Sequence, residues 1–196
     1  MEKFKGKYRI PSTRLQSWDY GSNGIYFITI CTDKRRHFFG EVINDKMILS
    51  HVGILADVLW YEIKNHAKNV ELGEFVVMPN HIHGILILDD PNYHGRDKAC
   101  LVSTECVIPN HKINPIGEQR FQNQGKNTVS SIVGGYKAAV TKHARRLGFD
   151  FAWQSRFHDH IIRDQQSYLR IADYVIHNPQ HWRDDCFHEE NQNKSC

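Results

Sequence analysis

No pairing pattern marks the cysteines of this 196-residue chain. The five (Cys31, Cys100, Cys106, Cys186 and Cys196) are odd in number, and no two stand in a Cys-x-x-Cys spacing. Neither a disulfide framework nor a zinc ribbon is supported, so reduced thiols are expected. No apolar run approaches the roughly 18–20 residues of a membrane helix. The start, MEKFKGKYRIPSTRLQ, is basic but has no apolar stretch behind it, unlike a secretory signal. A cytoplasmic protein with no membrane partner is therefore expected. Internal repeats and a second compositional regime are lacking too, and residues 1–196 read as a single domain, a size that buries a proper core.

What is present is mildly basic, with a net charge of +3, and the distribution of that charge says more than the total. Lys3, Lys5, Lys7, Arg9 and Arg14 gather at the start, and Lys34, Arg35 and Arg36 follow the first apolar strand. Lys126, Lys137, Lys142, Arg145 and Arg146 occupy a stretch without acids between Gly125 and Gly148. Tyr8, Trp18, Tyr20, Phe38 and Phe39 interleave the first two clusters. Any one cluster is most simply a solvated face. Three of them with aromatics suit a phosphate backbone and unstacked bases.

Along the chain, Ile25–Thr32 is β-branched and aromatic and reads as a buried strand. Asn44-Asp45 predicts a turn between short strands near Glu41–Ile43 and Met47–Leu49. Ser50 caps a predicted helix over roughly His51–His66, with Val52, Leu55, Leu59 and Ile63 at helical spacing. Strands follow at about Val70–Met78 and Ile82–Leu88. From Asp89 to Gly125 the pattern dissolves into a long, mobile loop holding three of the prolines. A helix capped by Asn127 or Thr128 then reaches about Leu147, a strand spans Phe157–Arg163, and a last helix runs from Gln165 to Asn178, where Pro179 stops it. The order predicts an α+β domain, an antiparallel sheet with helices packed on one face.

The sharpest local signal is Met78-Pro79-Asn80-His81-Ile82-His83-Gly84. Side chains at i and i+2 of a strand share a face, so His81 and His83 point the same way, about 7 Å apart along the chain. Two imidazoles so placed can chelate one divalent ion. His158-Asp159-His160 has the same spacing, and spacing alone does not choose between the pairs. The setting of the first between two strongly apolar runs, a rigid central strand, favours it. In the last helix, Tyr174 and Asn178 are i and i+4 and lie on one face. A helical tyrosine is ordinarily a packing residue. If this face meets His81 and His83, however, Asn178 supplies a carbonyl oxygen to the metal and Tyr174 can attack a phosphodiester as phenolate. His177 competes with Asn178 as third ligand, although neighbouring helical positions point about 100° apart.

Taken in order, MPNHIHGILIL, WQSRFHDHIIRD and YLRIADYVIHNP resemble the single-tyrosine HUH transposases, in particular the REP-associated tyrosine transposases and the small insertion-sequence transposases. The resemblance runs from about Ile25 to Pro179. It implies a ferredoxin-like antiparallel sheet and a Mg²⁺ or Mn²⁺ ion on His81, His83 and Asn178, with Tyr174 as nucleophile. It also implies single-stranded DNA bearing a hairpin as substrate, and cleavage to a 5′-phosphotyrosine and a free 3′-OH followed by strand transfer, by a monomer or homodimer. Lys34, Arg35, Arg36, Lys137, Lys142, Arg145 and Arg146 are the candidate DNA contacts. Two other functions use the same residues: a hydrolase in which the histidines activate water, and a DNA-binding module without chemistry. The chain stops at Cys196, which leaves little tail to reach over the site.

Overall fold

A computed structural model describes residues 3–4, 7–8, 18, 20–89 and 127–188. The segment expected to be a mobile loop, 89–125, lies almost wholly outside the described residues. The elements are β1 (Lys3–Phe4), β2 (Lys7–Tyr8), β3 (Gly24–Cys31), β4 (Gly40–Ile43), β5 (Lys46–Leu49), α1 (His51–Tyr61), α2 (Ile63–His66), β6 (Val70–Val77), β7 (His81–Leu88), α3 (Val129–Arg146), β8 (His158–Ile162) and α4 (Gln165–His177). A 3₁₀ segment, Asn178–Asp184, follows α4 directly.

Strands β6, β7, β3 and β8 form one antiparallel sheet in that order. With α1 and α3 as its crossovers, the path β3-α1-β6-β7-α3-β8 is the ferredoxin-like arrangement. The expected α+β architecture is therefore present. Alternation along the strands gives the sheet two distinct faces. Tyr26, Ile28 and Ile30 of β3 and Ile82 and Leu86 of β7 pack with Trp60 of α1 and Val133, Tyr136 and Val140 of α3. The Tyr136 hydroxyl donates to the Ala56 carbonyl at 2.7 Å and ties the two helices together. Helix α4 lies on the other face, where Ala172, Ile171 and Tyr168 meet Ile85, Ile87 and Ile162. The helices thus divide between the faces rather than sharing one, and the second face is the one that carries His81 and His83.

Local chemistry accounts for the boundaries. Ser50 Oγ accepts from Gly53 N at 3.1 Å and starts α1. Thr128 and Ser131 form a reciprocal capping box on α3, and Asp164 caps α4 through Ser167 N at 2.7 Å. Asn44 and Asp45 take positive φ (50° and 60°) in the β4–β5 turn, as a two-residue hairpin of the I′ kind requires. The helix expected through His66 is interrupted at Glu62, with Trp60 and Ile63 on either side both turned into the core. The β1–β2 hairpin, two residues per strand, was too short to leave a period in the sequence. Gly84 is a close-approach glycine: a Cβ there would stand 2.4 Å from the Trp60 ring, which stacks on Phe75 at 4.5 Å. That packing pins β7 from behind.

Gly134 and Gly135 behave differently. Both are exposed in α3, and a Cβ on either meets nothing within 4 Å among the described residues. A tight helix–sheet contact therefore does not explain them. Gly134→Ala and Gly135→Ala are each expected to raise stability by about 0.5–1 kcal/mol, because alanine restricts the unfolded chain and suits the helix. Thermal unfolding checks this; a lowered Tm would show that the added methyl meets an obstacle.

Candidate metal and tyrosine site

Central strand β7 sets His81 and His83 side by side. Their ring centroids are 4.5 Å apart, and the residues are 0% and 2% exposed. The turn before them is fastened: Thr32 N donates to the Asn80 carbonyl at 2.9 Å, and Thr32 Oγ1 lies between the Arg36 and Asn80 carbonyls, at 2.7 and 3.0 Å. Asn80 Nδ2 donates to the Phe187 carbonyl at 2.9 Å, which turns Asn80 Oδ1 toward His81 Nδ1, 2.8 Å away. An amide oxygen only accepts, so Nδ1 carries the hydrogen and Nε2 presents a lone pair. That Nε2 is buried and has no hydrogen-bond partner among the described residues. His83 Nδ1 shares a 2.9 Å hydrogen bond with Thr29 Oγ1, leaving Nε2 on the same side.

Burial keeps both imidazoles uncharged. It holds His81 well below the usual histidine value, with His83, Arg35 and His37 adding repulsion, and brings His83 down to about 3. Two neutral rings are the protonation state a metal requires.

Helix α4 brings the other reactants. Tyr174 Oη lies 3.2 Å from His83 Nε2, and its ring stands edge-on to Phe27 at 6.2 Å. Tyr174 is 42% exposed, yet its hydroxyl touches the buried pair. Its pKa is pushed up to about 12 by burial and by Asp185, against a hydrogen bond from Asn178 that lowers it. Asn178, 1% exposed at the C-terminus of α4, donates from Nδ2 to Asp185 Oδ2 at 3.3 Å, and its Oδ1 is buried without a partner.

Asp185 is the residue that the sequence reading missed. Its Oδ1 accepts from Phe187 N at 2.8 Å, and its Oδ2 lies 3.9 Å from His81 Nε2. Ligand atoms of His81, His83 and Asp185 all fall within 4.8 Å of one another. Burial raises the carboxyl's pKa, against the hydrogen bonds from Phe187 N and Asn178 and the charge of Arg35, which lower it. The expectation of little tail over the site is overturned by the same segment. Past Pro179, Trp182 and Phe187 cover the pair, with the Phe187 ring 4.5 Å from that of His81. The one clue in the sequence was an acidic pair, Asp184-Asp185, set between Trp182 and Phe187.

Those donors suit a divalent ion. An orphaned imidazole nitrogen, an orphaned amide oxygen and a destabilised carboxylate are buried together, and each is relieved by one cation. Cys31, the register partner of His81, does not join as a thiolate, since burial pushes its thiol up to about 11. His177 is drawn away, with Nδ1 3.0 Å from the Asp173 carboxylate and 3.0 Å from the Asp173 carbonyl oxygen. His158 and His160 are exposed on the edge strand β8, apart from the pair.

The basic candidates fall into different settings. Arg35 donates to the Cys186 carbonyl at 3.1 Å and lies 4.9 Å over Phe187, so it fastens the covering segment. Arg36 pairs with Asp150 at 3.3 Å and covers Phe38, while Lys34 is exposed in a left-handed turn (φ 51°). Lys137 donates to the carbonyls of Gln154 and Arg156 at 2.5 and 3.4 Å and is half-buried. Lys142, Arg145 and Arg146 are exposed together at the end of α3. One cysteine departs from the reduced state expected of it: Cys186 is disulfide-bonded. No described helix is long and apolar enough to cross a membrane.

Fold and site together define a ferredoxin-like α+β protein with a buried His-x-His pair under a helical tyrosine. Among solved structures, a REP-associated tyrosine transposase bound to a REP hairpin has the same fold (TM-score 0.52, 19% identity, covering 93% of this chain and 74% of that one). No family model matches the chain. An uncharacterized protein of Haemophilus influenzae strain Rd is 37% identical over 181 residues, 92% of this chain and 93% of its own length, and the chain belongs to that protein's family.

Proposed function

We propose that this protein is a tyrosine transposase: a metal-dependent endonuclease and strand transferase acting on single-stranded DNA that bears hairpin elements. The observation that carries the reading is the 3.2 Å approach of Tyr174 Oη to His83 Nε2, which sets an exposed nucleophile against a buried donor set. The likeness in fold to a transposase that binds a hairpin supports the choice of substrate.

In this reading His81, His83, Asp185 and Asn178 hold a Mg²⁺ or Mn²⁺ ion. Such an ion, when bound, polarises the scissile phosphate and offsets the charge that develops on it. Tyr174 Oη loses its proton to solvent water and forms the new bond to phosphorus. The P–O3′ bond breaks, O3′ leaves and takes up a proton from solvent water, and the 5′ phosphate stays on the protein as a phosphotyrosine. Attack by a 3′-OH on that ester reverses the sequence and joins a strand without a nucleotide cofactor. Lys142, Arg145 and Arg146, with Lys34, offer the exposed charge for phosphates, whereas Arg35, Arg36 and Lys137 are already engaged within the chain.

Incubation of the protein with 5′- and 3′-labelled hairpin oligonucleotides and Mn²⁺, followed by denaturing electrophoresis, tests the reading. A labelled protein band from the 3′-labelled strand alone is expected. Cleavage without any covalent band would instead assign the chemistry to water, and binding without cleavage would leave a DNA-binding module.

A further inference from the structure

The sheet face that carries His81 and His83 continues past them. In register, His158 of β8, Thr29 of β3 and His83 of β7 form one row, and His160, Phe27 and Ile85 form the next. Helix α4 packs over β6 and β7 and reaches Ile162, but His158 and His160 remain exposed. Phe27 stacks on His83 at 5.1 Å and is itself only partly buried. Tyr174 stands at the boundary between the covered half of the face and the open half. Adjacent strands lie about 4.8 Å apart, so His158 sits about 10 Å from His83. That is the reach of one nucleotide from its phosphate to the far edge of its base.

From this placement we infer that Phe27, His158 and His160 form a stacking shelf for an unpaired base next to the phosphate that Tyr174 attacks. Resting on the tyrosine reading, the shelf deepens it by assigning a nucleotide subsite on the β8 side. Three flat rings on one open surface fit the faces of bases, and only an unpaired, splayed-out base offers its face; a duplex hides all but its ends. The imidazole N–H groups add donors for base edges. Arg156 and Arg163 flank the strand in sequence. A protein strand pairing along the outer edge of β8 would use backbone groups instead and would be indifferent to these rings.

The experiment uses the full chain carrying Tyr174→Phe, in EDTA, so that neither cleavage nor metal enters the reading. Fluorescence anisotropy measures a labelled single-stranded oligodeoxynucleotide and the same sequence annealed to its complement. The double variant His158→Ala, His160→Ala is expected to weaken single-strand binding by about tenfold or more, with duplex binding changed far less. His158→Tyr with His160→Tyr should keep the single-strand affinity near parental, since a flat ring is restored. Both histidines are exposed, and an unchanged Tm confirms that fold is not at issue. Parental single-strand affinity in the alanine variant, or an equal loss on duplex, overturns the shelf. The two proposals fail separately: a covalent band formed by a protein whose shelf variants bind normally removes only the shelf. Selective loss of single-strand binding in a protein that makes no covalent band removes only the nucleophile.

Discussion

Tyr174→Phe is expected to eliminate the covalent protein–DNA band and to reduce cleavage to background, a loss of several orders of magnitude, while DNA binding stays within about twofold. The change removes one hydroxyl from a ring that remains edge-on to Phe27, so the packing of α4 on the sheet is kept. What is lost locally is the 3.2 Å hydrogen bond to His83 Nε2, a term of about 1 kcal/mol. Far-UV circular dichroism and Tm should therefore report a folded protein, and the side chains of His81, His83, Asn178 and Asp185 are untouched. The size of the effect follows from the absence of a substitute. Tyr168 is on the same helix, but its hydroxyl is committed to Glu74 Oε2 at 2.8 Å, across on β6. If the phenylalanine variant still cuts and a hydroxide is transferred to the product, the phosphodiester is being hydrolysed and Tyr174 only packs.

Much of this site could be read in the sequence, for a physical reason. Alternation along His81–Leu88 fixes which residues share a face whatever the rest of the fold does, and the apolar runs on both sides make the strand central. Tyr174 and Asn178 were likewise bound together by helical geometry. Contacts that depend on a change of chain direction were not legible. Asp185 reaches His81 only because the chain tightens into a 3₁₀ segment at Asn178 and folds Trp182 and Phe187 back over the strand; no period encodes that. The role of Lys137 was hidden in another way. Its neighbourhood has no acids, which reads as free charge, yet its ammonium is taken by backbone carbonyls that every residue possesses. The separation of α1 and α3 from α4 onto opposite faces also needed the three-dimensional path, since all three helices have one apolar side.

Removal of metal donors should divide into two sizes of effect. His81→Ala and His83→Ala are each expected to lower Mn²⁺ affinity more than about 100-fold and to abolish cleavage, because each removes a buried neutral imidazole from the cluster. His158→Ala should leave Mn²⁺ affinity unchanged, since that ring is exposed on β8 and apart from the cluster. The oxygen donors are the finer question. A hard ion prefers oxygen, and two imidazoles alone serve it poorly. Asn178 offers a buried amide oxygen, and Asp185 a buried carboxylate that accepts from the Asn178 amide and the Phe187 N–H and lies 3.9 Å from His81 Nε2. The carboxylate brings the charge that a cation would neutralise, so Asp185→Asn is expected to weaken Mn²⁺ binding by about tenfold or more. Asn178→Ala should cost less, with cleavage partly restored at high Mn²⁺. Isothermal titration with Mn²⁺ on the five variants, in the absence of DNA, separates these contributions from any effect on substrate. Parental affinity in Asp185→Asn alongside a large loss in Asn178→Ala would hand the oxygen ligand to the amide. Asp185 would then be a group that orients Asn178 through the 3.3 Å hydrogen bond to its Nδ2.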